Sequence, residues 1–104
     1  MEFVAGDKVK IKSYEEIKKM SIGENSQSQL LFENTSVVFN TKMIQYCGSV
    51  DTIASINNYN DGSIYSRYKL ENHDHTWLDI WLDLERPSYS RFVESFDEAV
   101  YLGD

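Results

Sequence analysis

The sequence predicts a single, mostly β domain with minor helix, and three observations predict it. The 104 residues suffice for one hydrophobic core and no more. Beyond Gly48, apolar and polar residues alternate with period two, the mark of half-buried strands. Helical spacing is confined to two short segments before that point and one after Pro87. A chain that is 41% hydrophobic, 26% charged and 13% aromatic, with one proline, has the composition of a folded globule rather than a disordered or collagen-like chain.

The elements follow in order. Lys8, Lys10 and Lys12 alternate with Val9 and Ile11, so a first strand there carries lysines on one face and apolar side chains on the other. Ser13-Tyr14-Glu15-Glu16 is a capping-box pattern, and Ile17 and Met20 then fall at helical spacing, giving a short helix over residues 14–20. Residues 21–38 are polar and rich in Ser, Gln and Asn. They read as a long loop with Leu30-Leu31-Phe32 as a small apolar anchor. Asn40 or Thr41 caps a second short helix carrying Met43, Ile44 and Tyr46, ended by Gly48.

Val50 to Ile56 and Ile64 to Leu70, separated by Asn58-Tyr59-Asn60-Asp61-Gly62, read as a β-hairpin. Glu71-Asn72-His73-Asp74-His75 is a further turn, and residues 76–85 are apolar enough for a strand, a short helical turn and a final strand. After Pro87, Phe92, Val93, Phe96, Ala99 and Val100 gather on one helical face opposite Glu94, Asp97 and Glu98. This predicts an amphipathic helix over residues 90–102.

The net charge is −7. Residues 1–70 hold eight basic and eight acidic side chains, whereas residues 71–104 hold two basic against nine acidic. Such a balance argues against a chain built mainly to grip phosphates. The opening Met1 to Asp7 has no secretory pattern, no stretch is long and apolar enough to span a bilayer, and Cys47 is the sole cysteine. The expectation is a soluble, cytoplasmic protein with no membrane partner.

The order of Gly6-Asp7-Lys8-Val9-Lys10-Ile11, Tyr14-Glu15-Glu16-Ile17, Lys42-Met43, Tyr46-Cys47-Gly48 before Val50 and Ile53, Tyr68-Lys69-Leu70, and the stretch from Trp77 to Glu85 is informative. It resembles the small SH3-like β-barrel proteins of bacteriophages and prophages, related in pattern to the Mind bomb type of SH3-like repeat. The resemblance covers residues 3 to about 85. It implies an SH3-like barrel of about five strands over residues 1–86, with two short helices in its connections. Residues 87–104 then form an acidic amphipathic helix packed on the same domain. The long loop 21–38 and that helix depart from the common pattern. The resemblance implies a phage-type protein in a bacterial host and assigns no activity.

Candidate chemistry is sparse. His73-Asp74-His75 begins a metal site in residue type only, since a closed zinc site wants four ligands and Cys47 is the only thiol; the reading is no metal and no cofactor. Cys47 lies at the end of a short helix, where the helix dipole disfavours thiolate, so it reads as a small hydrophobe and not as a nucleophile. Phosphate loops, paired catalytic carboxylates and serine elbows are missing from the sequence, and the expectation is a non-enzymatic protein.

Asp79, Asp83, Glu85, Glu94, Asp97 and Glu98 suit either a solvated surface or a phosphate-imitating one that engages a basic host protein, such as a defence or nucleic-acid-processing factor. The second reading is a nucleic-acid or nucleotide module using Lys8, Lys10, Lys12, Arg67, Tyr68 and Lys69. The lysine row alone suits a solvated strand face or a stripe for an acidic partner. Trp77 is expected in the core; Tyr65 and Trp81 are candidates for an aromatic groove, with a core role for Trp81 equally open.

Overall fold

Alternating valine, isoleucine and lysine place strand β1 (Lys8–Ile11) at the middle of the fold, because both of its edges are paired. The computed structural model describes residues 2–57 and 64–88. After β1 come α1 (Tyr14–Met20), β2 (Gly23–Glu24), β3 (Leu30–Leu31) and a 3-10 helix (Thr41–Tyr46). There follow β4 (Val50–Ile56), β5 (Arg67–Leu70), β6 (Thr76–Leu78), a 3-10 turn (Asp79–Trp81) and β7 (Leu82–Arg86). The protein is mostly β, and the described residues form few helices and two sheets: five antiparallel strands in the order β6-β5-β4-β1-β7, and the small β2-β3 pair. Among the described residues no ladder joins β6 to β7, so the larger sheet stays open.

Val9 and Ile11 of β1 are fully buried, and Lys8 and Lys10 face outward, as the alternation requires. Lys8 pairs with Thr52 of β4 and Arg86 of β7; Lys10 pairs with Val50 and Asp83. The β1–β7 register shifts between Lys8 and Val9. The chain enters β1 through Gly6, whose φ of +92° puts it in the left-handed region where a side chain is strained.

The connections are built by local capping. Ser13 Oγ accepts the Glu16 backbone N–H at 3.2 Å, which starts α1 and lets it bury Ile17. Asn40 Oδ1 accepts from the Lys42 and Met43 N–H groups at 3.0 and 3.2 Å, so Asn40 is the cap of the second helix, which winds as 3-10. Gly48, at φ +84°, turns the chain back so that its N–H meets the Ile11 carbonyl at 2.8 Å.

Residues 21–38 are not the featureless loop their polarity predicts. Asn25 Oδ1 accepts the N–H groups of Gln27 and Gln29 at 2.9 and 3.0 Å, folding the chain so that Gly23 pairs with Leu31 and Glu24 with Leu30. Leu30 also bridges Phe39. The expected anchor is present, with Leu30 and Phe32 in the core. The hairpin after Gly48 exists with a shorter second strand, since β5 starts at Arg67 and Ile64 is 72% exposed. The predicted helix over residues 90–102 lies outside the described residues.

The core is dominated by rings. Trp81 meets Phe39 and Phe32 edge-on at centroid distances of 5.1 Å each, and Trp77 lies 6.1 Å from Phe39 and 6.4 Å from Trp81. Tyr68 is fully buried, and its hydroxyl accepts the Phe3 N–H at 2.9 Å.

Among the described residues Trp81 Nε1 has no hydrogen-bond partner. Its ring therefore contributes packing, while its N–H costs desolvation. Trp81→Ala is expected to lower stability by about 3–5 kcal/mol in urea unfolding. Trp81→Phe, which removes the orphan donor, costs under about 1.5 kcal/mol. Equal losses in the two variants would show that the ring is not what matters.

Candidate functional site

Among the described residues, the charged side chains singled out from the sequence do not gather into one acidic face and one basic face. Asp79 is half-buried at the start of the 3-10 turn, where its carboxylate accepts the Ile80 N–H at 2.8 Å. Burial raises its pKa, partly offset by the N–H groups of Ile80 and Ser66. Asp83 is taken by Lys12, whose Nζ donates to it at 2.5 Å. Glu85 is exposed on β7. Of the three acidic candidates among the described residues, only Glu85 is a solvated and unpaired carboxylate; Glu94, Asp97 and Glu98 lie outside those residues.

The basic and aromatic candidates are corrected by burial. Arg67 is 6% exposed and Tyr68 fully buried with its hydroxyl engaged, so neither offers a face on which a base can stack. Trp81 is a core residue rather than a groove wall, because three other rings surround it. Tyr65 is half-buried against the core, and Lys69 is half-buried on β5. Lys8 and Lys10 remain on the surface of β1.

A cluster the sequence did not assemble lies where the Thr41–Tyr46 helix meets the turn before β6. The Tyr46 ring sits 4.2 Å from that of His73 and 6.2 Å from that of His75, over the buried Trp77, which is 6.1 Å from His75. Asp51, facing inward from β4, organises this end. Its carboxylate accepts the Thr52 N–H at 2.7 Å, the Asn72 N–H at 3.1 Å, the Asn72 side-chain amide at 2.8 Å and His73 Nδ1. Burial raises the Asp51 pKa, but these four bonds outweigh it and hold the carboxyl below the usual carboxylate value.

The arrangement holds His73 by Nδ1 against the Asp51 carboxylate. Burial lowers the His75 pKa; Asp74 opposes this, while Lys42, Lys69 and His73 add to it. Burial pushes the neighbouring Cys47 thiol up, the reverse of what an activated nucleophile requires. Among the described residues no three His, Cys, Asp or Glu side chains group as metal ligands, and no helix is long and apolar enough to cross a membrane. No protein-family model, curated protein or solved structure matches the chain.

Asp51 was readable only as one position of an alternating strand. An inward-facing aspartate opposite a turn rich in Asn and His was the available signal.

Asp51 and His75, the two groups at this end with lowered pKa, give stability the same pH dependence. The folded pKa of each is depressed, so each contributes stability above its unfolded value and loses it as pH falls through the folded value. His75 acts in the range below 6.5 and Asp51 below 3.8. Asp79 has the opposite sign: its raised pKa removes stability as pH rises. In urea unfolding between pH 3 and 8, His75→Gln is expected to flatten the decline below pH 6.5, and Asp51→Ala to cost on the order of 2–3 kcal/mol at neutral pH. Asp79→Asn, which keeps the acceptor for Ile80 N–H, is expected to raise stability at neutral pH. A destabilised Asp79→Asn protein would contradict the assignment of burial as the cause.

Proposed function

We propose that the chain is a non-enzymatic binding module of SH3-like, phage type that engages a host protein through the acidic surface of its carboxyl-terminal third. The carrying observation is charge segregation: residues 71–104 hold nine acidic and two basic side chains, against an even balance before them. The sheet order β6-β5-β4-β1-β7, with a 3-10 turn between the last two strands, supports the SH3-like part of the reading. Glu85 is exposed on β7 and precedes Glu94, Asp97 and Glu98 in the sequence.

A surface of this kind imitates a phosphate backbone to a basic nucleic-acid-binding protein and raises its rate of encounter. Inhibition of a host defence or nucleic-acid-processing factor is the activity that follows. The test is affinity capture from bacterial lysate with nuclease, comparing the unaltered chain with the Glu94→Lys/Asp97→Lys/Glu98→Lys variant. A stoichiometric protein partner, resistant to nuclease and lost with the variant, is expected. Capture that is unchanged by the three reversals, or that disappears with nuclease, refutes the reading.

A further inference from the structure

We draw no further inference here: the strongest candidate, the groove between the end of α1 and the β2–β3 pair, lined by Lys18, Ser21, Ile22, Gly23, Glu24 and Leu30, has its cation Lys18 facing the Glu24 carboxylate at 4.0 Å, and nothing in the structure shows what covers its exposed Ile22.

Discussion

The edge-to-face contacts among Phe32, Phe39, Trp77 and Trp81 are the constraint on which the rest of this structure depends. The strands are short, with three residues in β6 and two each in β2 and β3, so backbone ladders alone cannot hold the layers together. Large rings supply much buried area per residue. They also join distant parts of the chain. Phe32 and Phe39 lie within the excursion between α1 and the 3-10 helix, and Trp77 and Trp81 come from β6 and the turn after it. Packing these rings brings the excursion onto the sheet. It also sets Trp77 beneath Tyr46, His73 and His75, so the outer cluster takes its position from the core.

Two buried carboxylates finish what the rings begin. Asp7 accepts the N–H groups of Val4 at 2.9 Å and Ser88 at 2.7 Å, tying the approach to β1 to the exit from β7. Asp51 does the same between β4 and the turn before β6. Each sits where a strand ends and backbone donors would lack ladder partners. Burying an anion is costly, and several N–H donors aimed at one carboxylate offset that cost through charge-assisted bonds. The same principle explains why Asp79 differs: with fewer compensating donors, burial dominates and its pKa moves up.

Legibility in the sequence followed the range of the interaction. Features set within a few residues could be read: the alternation of β1, the Ser13 and Asn40 caps, the turn at Gly48, and the strand, 3-10 turn and strand over residues 76–86. The fold of residues 21–38 could not, because it rests on the Asn25 side chain satisfying backbone donors, which composition records only as polarity. Tyr68 and Arg67 were misplaced for a related reason. Polar tips and a neighbouring lysine suggest a surface, whereas both side chains are buried and Tyr68 finds its partner in Phe3, 65 residues away. Register was beyond reach altogether, since a bulge that sets Arg86 beside Glu85 opposite Lys8 changes no pattern along the chain.

Charge shows most clearly why sequence position and spatial position must be separated. The acidic residues counted along the chain include Asp7 and Asp51, which are buried, Asp79, which serves a turn, and Asp83, which is spent on Lys12. None of the four acts as a free surface anion. Screening confines what an approaching partner senses to about 8–10 Å at physiological salt. Within that radius the β1–β7 face presents Lys8, Lys10 and Arg86 together with Asp83 and Glu85, a mixed pattern that the total of −7 does not describe. The net charge therefore governs solubility and long-range approach, while the local pattern governs what is held.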